Sequence, residues 1–418
     1  MLIPEMVKAG WEVEVMYPDA ACQAAYSLDP DSPRFYPQTS EHPVGPWMRG
    51  LFEALGSRSI GIRAGIPVAR SGLELLQSRK YDVVYFSTTQ HLLTCAGRCW
   101  RRKTGVPYVA DVHDPVFIPR PKYQTSRGGL KARIARQVGR WIEKTALAKA
   151  DGIVSVSRGY VDDLLARNPD SKWAGGGGLK GLSNEGKLKR VLVEPFPADE
   201  KGLEMVEVEK KKTGKRRIVY VGAGGSIMEK GWREFLMALK KEPLAGKVGI
   251  EIYGTNPFWK DGEPRFLQSI AEEMGLRGLV VEEPTRVSYE RSLALVKGAD
   301  GLLVLGVDDP NYQPSKLHTY LATELPVMVL CHQQSDLPQQ LEGLEGVNIL
   351  KFEAERRPSF AANSCGGAAT EGSQGGIEEY LQNVNEGKRW PGRKRLTVKE
   401  AAAGHVRLFN AVASLGIS

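Results

Sequence analysis

Short, almost continuously apolar runs alternate with longer amphipathic runs along the whole chain, and this pattern constrains the fold more than any other feature. Runs such as residues 152–157 and 301–306 are too short for helices and lack polar alternation, as is typical of strands buried on both faces. Strands of that kind occur in parallel sheets covered by helices. The sequence therefore predicts an α/β protein with doubly wound parallel sheets.

The predicted elements fall into two sets of similar length. In the first half, strands are predicted at 11–17, 82–87, 106–112, 152–157 and 191–195, and helices at 68–79, 90–103, 128–150 and 158–167. In the second half, strands are predicted at 217–222, 248–254, 279–283, 301–306, 326–330 and 347–350, and helices at about 230–241, 264–275, 287–297 and 314–323. Residues 196–217 lack a clear apolar period, so a domain boundary is expected there. Two glycine-rich segments, 168–188 and 358–376, are predicted to be mobile loops.

Composition excludes several classes of protein. Of 418 residues, 42% are hydrophobic and 25% charged, with no uncharged apolar run of membrane-spanning length. The five cysteines are sparse and form no ligand cluster, so neither a disulfide framework nor a metal site is expected, and a cytoplasmic location fits. No module that interleaves basic and aromatic residues indicates nucleic-acid binding.

The excess of positive over negative charge lies entirely in the first half. Residues 1–197 carry 28 Lys and Arg against 19 Asp and Glu, whereas the remainder is close to balance. An anionic partner is therefore expected for the first half only.

A lysine stands at an unusual place in the segment "YQPSKLHTYL". The pattern predicts a helix that opens at Pro314, which puts Lys316 in its first turn, where a cation opposes the helix dipole. That cost disappears if an anion docks at the carboxyl edge of the sheet. A lysine that simply points into solvent is the alternative.

The same segment, "YQPSKLHTYLATELPVMVL", resembles the donor-site segment of GT-B fold glycosyltransferases of the family-4-like group. Other stretches agree in order along nearly the whole chain: "YDVVYFSTTQHLLTCAGRCWRRKTGVPYVADVHD", "WIEKTALAKADGIVSVSRGYVDDLLAR", "IVYVGAGGSIMEKGWREFLMAL", "SLALVKGADGLLVL" and "LTVKEAAAGHVRLFNAV". The resemblance implies two Rossmann-like domains facing across a cleft. They are an acceptor-binding domain at 1–197 and a donor-binding domain at 198–395, with a closing helix at 396–418 that returns to the first domain.

The resemblance further implies an enzyme that moves a sugar from a nucleotide-diphosphate donor, a UDP- or GDP-sugar, to a saccharide or lipid-linked acceptor without a metal or other cofactor. The implied donor-binding residues are Gly222, Gly224, Gly225, Lys230, Tyr253, Gly254, Asn311, Ser315, Lys316 and Thr319. Cations aimed at the diphosphate would stabilise the leaving group as its charge grows. The resemblance also implies a role in polysaccharide biosynthesis and a cytoplasmic protein that is peripheral to the membrane.

Three departures from the family pattern accompany the resemblance. Asn311 and Thr319 stand where the family commonly has two glutamates. Ala223 stands where it often has an arginine, and Arg286 is a candidate replacement. The usual first strand and its glycine-rich loop are absent, so we expect an in-frame segment upstream of the start. A catalytically degenerate relative that binds nucleotide or glycan, and a GT-B nucleotide-sugar epimerase, therefore remain alternatives.

Two features of the first half bear on the acceptor. His113 and Asp114 follow a predicted strand, and the resemblance places the histidine near the transferred sugar, where the pair could orient a hydroxyl or act as base. A structural histidine beside an Asp-Pro turn is the alternative. The basic, amphipathic stretch 127–150 fits an anionic membrane surface, or else a helix with one solvated face and one core face.

Overall fold

The structure is a computed structural model that describes residues 2–18, 40–45, 60–117, 130–174, 190–209, 214–353 and 374–416. The chain divides into two compact units. One comprises Met1–Pro195 together with Val398–Ser418, and the other is Phe196–Thr397. The last helix of the chain therefore belongs to the first unit.

The first unit contains two parallel sheets. Its strands are β1 (Glu14–Pro18), β2 (Ser40–Val44), β3 (Val84–Phe86), β4 (Tyr108–Val112), β5 (Gly152–Ser155) and β6 (Val191–Val193). Its helices are α1 (Ile3–Lys8), α2 (Ile60–Ser78), α3 (Cys95–Thr104), α4 (Leu130–Thr145), α5 (Arg158–Arg167) and α13 (Val398–Ala413). One sheet is β1-β2 and the other has the order β3-β4-β5-β6. In the described ranges no strand joins the two sheets, and the expected upstream strand stays a prediction.

The second unit is built on one six-stranded parallel sheet. Its strands are β7 (Arg216–Val221), β8 (Val248–Tyr253), β9 (Val280–Glu283), β10 (Gly301–Val304), β11 (Val327–His332) and β12 (Val347–Phe352). Its helices are α6 (Glu200–Met205), α7 (Glu229–Leu239), α8 (Phe266–Glu273), α9 (Tyr289–Lys297), α10 (Leu317–Ala322), α11 (Leu337–Gln340) and α12 (Gln374–Glu386).

The strand order of the second sheet creates a switch point. The order is β12-β11-β10-β7-β8-β9, so the chain moves outward from β7 in one direction and, after crossing back, outward from β10 in the other. Every residue of β11 is buried, which explains why its sequence shows no polar alternation. The predicted class, α/β with two doubly wound Rossmann-like units, is confirmed.

Three local predictions need correction. Residues 168–174, predicted as part of a mobile loop, hold a short 3-10 turn with Trp173 fully buried, because its ring fills the core and its Nε1 donates to Leu147 O at 3.0 Å. Helix α6 lies within residues 196–217, where the domain boundary was expected and no helix was predicted. Helix α12 begins inside the second predicted loop. The remainder of both loops lies outside the described residues.

Candidate functional site

The loops at the switch point of the second unit form the strongest candidate site. Residues 222–228 follow β7 and residues 305–316 follow β10, and these two strands are neighbours. In open parallel sheets, the loops on either side of such a reversal diverge and leave a crevice at the carboxyl edge. The sequence thus places a glycine-rich loop and Lys316 on opposite sides of one crevice.

Gly222 brings the main chain close to the Lys316 ammonium. A Cβ added at Gly222 would lie 3.2 Å from Lys316 Nζ and 2.8 Å from the Tyr220 hydroxyl. The Gly222 N–H itself donates to Tyr253 O at 2.9 Å, which continues the β7–β8 ladder by one residue. Glycine is required here because a side chain would fill the space beside the lysine.

The helix that carries Lys316 is shorter than predicted. Helix α10 begins at Leu317 and has six residues, with Lys316 at the N-cap position. The predicted start at Pro314 is wrong, because Pro314 O accepts from Leu317 N in a separate turn and the first helical carbonyl is that of Lys316, which accepts from Tyr320 N at 2.9 Å. A helix of six residues has only a weak dipole, so the dipole argument alone does not explain the position of Lys316.

The electrostatic surroundings of Lys316 are unfavourable for a cation. Burial lowers the pKa of Lys316, and the positive charge of Arg286 lowers it further. In the part of the chain that the structure describes, neither the Lys316 ammonium nor the Arg286 guanidinium has a hydrogen bond or ion pair with a carboxylate. Two cations therefore converge at the switch point without a counter-charge, and an anion bound between them would relieve the repulsion.

Tyr320 fixes helix α10 to strand β7. Its ring is 2% exposed, and its hydroxyl accepts from Val221 N at 3.1 Å. This bond ties the helix that follows Lys316 to the residue that precedes Gly222. The sequence analysis treated Tyr320 only as part of an apolar face; its hydroxyl is what sets the distance between the two halves of the site.

Several other predicted donor residues also lie at this edge. Gly224 N donates to Thr255 O at 3.0 Å, and Gly225 has φ 114°, a conformation that side chains disfavour. Gly254 has φ 76° and follows β8, where a Cβ would lie 4.0 Å from Arg286 Cα. Arg286, the candidate replacement for the family's arginine, is thus beside both Gly254 and Lys316.

The remaining predicted donor residues have other surroundings. Ser315 is exposed, Lys230 is partly exposed in the first turn of α7, and Asn311 N donates to Asp309 Oδ1 at 3.0 Å. Thr319 is buried and its hydroxyl accepts from Asp199 N at 3.1 Å. Tyr253 is buried, and its hydroxyl donates to Glu251 Oε2 at 2.6 Å. The donor-binding role of these residues stays a prediction.

A second cluster of titratable groups lies at the carboxyl ends of β3 and β4 in the first unit. His113 Nε2 lies 2.7 Å from Asp111 Oδ2, and the Tyr85 hydroxyl donates to the same oxygen at 2.5 Å. Asp111 is 4% exposed, and its other carboxylate oxygen is buried without a hydrogen bond. The partner of His113 in the structure is therefore Asp111, two residues earlier on the strand; Asp114, paired with it in the prediction, is exposed.

The cluster continues to the last helix. The ring nitrogen Nε2 of His405 in α13 lies 3.3 Å from the Tyr85 hydroxyl, and its Nδ1 lies 2.8 Å from Ala401 O. Glu194, which follows β6, places Oε2 3.4 Å from that same Nδ1. A continuous polar path thus runs from His113 through Asp111 and Tyr85 to His405.

The pKa values in this cluster diverge. Burial acting alone would lower the pKa of His113, but the hydrogen bond to Asp111 and the charge of that carboxylate outweigh burial and raise it. For nearby His91 burial dominates and lowers the pKa, and its Nδ1 is buried without a hydrogen bond. Two histidines at one edge with opposite shifts are a recognised feature of sites that move or hold protons. Neither His91 nor Asp111 was singled out from the sequence, although Asp111 interrupts an otherwise apolar strand.

Two kinds of feature, a metal-binding cluster and a membrane-spanning helix, are absent from the described residues. They contain no group of three or more His, Cys, Asp or Glu side chains arranged to hold a metal ion. No helix among them is both long and apolar enough to cross a membrane.

Comparison with known proteins gives one family and a set of similar folds. Residues 1–173 match the family described as "Glycosyl transferase 4-like domain". A comparison with curated protein sequences gives no significant match. Among solved structures, the chain is similar to Anabaena HepE in complex with UDP-glucose, at 12% identity and TM-score 0.48 over 90% of this chain and 84% of that chain.

Two further solved structures are similar at the same level. A UDP-forming α,α-trehalose-phosphate synthase from Burkholderia xenovorans has 12% identity and TM-score 0.48 over 85% of this chain and 75% of that chain. A UDP-N-acetylglucosamine 2-epimerase, described as putative, from Listeria monocytogenes has 11% identity and TM-score 0.43 over 95% of both chains.

Proposed function

From the match of residues 1–173 to the glycosyl transferase 4-like family, we propose that the chain transfers a sugar from a nucleotide-diphosphate donor, bound at the carboxyl edge of the second unit's sheet, to a saccharide or lipid-linked acceptor. That match supports the predicted family and enzyme class, a GT-B type glycosyltransferase. The donor site, its residues and the acceptor are the proposal.

The uncompensated pair of cations at the switch point is the observation that carries the donor site. A partly buried lysine beside an arginine, with no carboxylate partner in the described residues, is costly unless an anion is bound. A Cβ at Gly222 would lie 3.2 Å from the ammonium, so the glycine allows the main chain to approach Lys316 closely. A diphosphate matches this arrangement because it brings two adjacent anionic groups to two adjacent cations.

The chemistry follows from where the charge develops. As the glycosidic bond of the donor breaks, the electron pair stays with the distal phosphate oxygen, and the diphosphate gains negative charge. Lys316 and Arg286 would hold that charge more strongly in the transition state than in the ground state, which is the condition for rate acceleration. Transfer by these residues needs no metal for charge stabilisation.

A nucleotide panel tests the proposal. We expect UDP, GDP or one of their sugars to raise the melting temperature of the full chain, because a ligand that binds only the folded state stabilises it. A chain that responds to none of them would not be a nucleotide-sugar transferase. Binding without transfer or donor hydrolysis would identify a degenerate relative, and release of an epimerised sugar would identify an epimerase.

For the acceptor side, we assign the proton-handling role to His113 with Asp111 as its positioning residue. The carboxylate accepts a hydrogen bond from His113 Nε2–H and fixes the ring, as buried carboxylates do for catalytic histidines. The raised pKa favours the cationic form of His113, which suits an acceptor that carries phosphate or carboxylate and suits protonation of a leaving oxygen better than proton abstraction.

The exposed side chains of helix α4 support the proposal of a lipid-linked acceptor and a peripheral membrane location. Three large apolar side chains on it are exposed, namely Ile134 at 55%, Val138 at 41% and Trp141 at 52%. Arg133 and Lys144 are exposed beside them. Apolar side chains flanked by basic ones are the pattern of a helix that lies in an anionic lipid surface.

Trp141→Glu is expected to abolish binding of the full chain to vesicles rich in phosphatidylserine in a flotation assay, because it places a carboxylate where the apolar face would enter the lipid. Met205→Glu, a change at another exposed apolar side chain, 74% exposed, is the matched control and should bind as the wild type does. Equal binding of the wild type and the Trp141 variant would remove the membrane assignment.

A further inference from the structure

A large basic cavity lies at the amino-terminal edge of the second unit's sheet, opposite the edge that carries Lys316. Its volume is about 870 Å³. It is formed where Arg216 opens β7, Lys247 precedes β8 and Asp300 precedes β10. Since all six strands are parallel, the starts of β7, β8 and β10 lie at one edge and Gly222 and Lys316 at the other. The cavity is therefore separate from the proposed donor site.

The lining of this cavity carries more positive than negative charge. It holds six cationic side chains and one carboxylate: Lys215, Arg216, Arg217, Lys247, Lys297 and Arg389, with Asp300. Two arginines are neutralised, since Arg216 Nη1 lies 2.9 Å from Asp300 Oδ1 and Arg217 Nη2 lies 2.9 Å from Glu251 Oε2. The excess positive charge therefore includes that of Lys247, Lys297 and Arg389.

Two of the remaining cations are fixed by main-chain oxygens. The Lys297 ammonium donates to Leu203 O at 2.7 Å and Val206 O at 3.0 Å, and Arg389 Nη1 donates to Thr323 O at 3.4 Å. Carbonyl oxygens orient these groups but leave their charge in place. For Lys247, the described residues provide no hydrogen bond or ion pair.

The cavity also has free space beside two of its glycines. A Cβ added at Gly214 or Gly246 would meet no atom within 4 Å. The volume is within the range of small-molecule sites, and it exceeds what a single phosphate ion fills. Arginine and lysine side chains around such a space suit an anion with several phosphate groups.

We propose that this cavity is a second anion site, which binds a ligand with two or more phosphate groups through Lys247, Lys297 and Arg389. The ligand is either a soluble polyphosphorylated compound or a phosphorylated lipid headgroup. Because this site and the donor site lie at opposite ends of the same strands, both can be occupied at once, and the assignment does not depend on the proposed function.

Calorimetric titration of the full chain with inorganic tripolyphosphate tests the site. The Lys316→Met variant removes the central cation of the donor edge, and we expect it to retain tripolyphosphate binding at the cavity. Adding Lys247→Ala and Arg389→Ala to that variant should weaken this binding by more than about tenfold, since each charge-assisted hydrogen bond contributes substantially. Adding Lys399→Ala instead, an exposed lysine of the first unit, should change nothing.

A second variant provides an independent test in case the double substitution misfolds. Gly246→Glu leaves every cation in place and puts a carboxylate into open space in the cavity, so it too should weaken tripolyphosphate binding. Tripolyphosphate affinity that is unaffected by both variants, or absent once Lys316 is replaced, would overturn the proposal. Vesicles that contain a phosphatidylinositol bisphosphate distinguish the two kinds of ligand. Co-flotation of the chain that depends on Lys247 and Arg389 indicates a lipid headgroup. Tripolyphosphate binding without such co-flotation indicates a soluble ligand.

Discussion

Lys316→Met is expected to abolish the nucleotide-induced rise in melting temperature and, at the same time, to stabilise the free chain. The first effect follows because the ammonium lies beside the main chain at Gly222, 3.2 Å from where a Cβ would stand. Loss of its charge-assisted hydrogen bonds should weaken nucleoside-diphosphate binding roughly 10- to 100-fold. The second effect follows because methionine keeps the apolar stem and removes a charge that is buried beside Arg286.

The sign of the stability change follows from the pKa. Burial and Arg286 lower the pKa of Lys316 below that of the unfolded chain. The unfolded state therefore binds more protons between the two values, so the penalty is fully present below the folded pKa and fades as pH rises through that window. Methionine removes the penalty at every pH. A residue that destabilises the free fold yet is needed for a ligand has a functional reason for being there.

Differential scanning fluorimetry with and without UDP and GDP measures both effects. Lys241→Met, at an exposed lysine after helix α7, is the matched control and should leave the nucleotide response unchanged. A Lys316 variant that is less stable than the wild type and still responds to nucleotide would contradict the electrostatic account.

Asp111→Asn is expected to lower the pKa of His113 and to destabilise the first unit. The carboxylate accepts from both Tyr85 and His113, at 2.5 and 2.7 Å. Asparagine keeps the shape but loses the charge, so burial then dominates and the imidazole favours its neutral form. Loss of hydrogen bonds to a buried charged group costs about 2 kcal/mol of folding free energy.

The pH dependence distinguishes this role from a merely structural one. In the wild type, the folded pKa of His113 lies above 6.5, so the pair's contribution to stability is complete below that pH and is lost as pH rises through the folded value. Histidine titration by NMR, with Asp114→Asn as the control at the exposed neighbouring carboxylate, should show a fall in the pKa of His113 mainly in the Asp111 variant. An unchanged pKa of His113 in that variant would remove Asp111 as its positioning residue.

The strands were predictable because their side chains are buried on both faces. Strands β7, β8, β10 and β11 lie within two residues of their predicted ends, since apolar runs in parallel sheets are bounded by the loops that carry glycine and charge. Strand β2 was missed because "SEHPV" has no such run. Helix α12 was missed although Ile377, Tyr380, Leu381 and Val384 form an apolar stripe, all fully buried, because the glycine-rich composition before it dominated the interpretation.

The candidate sites were predictable only where the residues directly follow predicted strands. Lys316 and the glycines after β7 follow two apolar strands, so their location at one sheet edge could be inferred. The proximity of Arg286 to Lys316, and the path from His113 through Tyr85 to His405, bring together side chains that lie far apart in sequence. The hydrophobic periodicity of a sequence does not predict such pairs, because they depend on which strands are neighbours and on the length of each side chain.

A crystal structure of the full chain with the nucleoside diphosphate selected by the panel tests the central claim most directly. We expect its diphosphate within hydrogen-bond distance of Lys316 Nζ, with Arg286 on the other side and the main chain of residues 222–225 alongside. A diphosphate bound elsewhere, for example at the amino-terminal edge beside Lys247 with the switch point empty, would contradict the account.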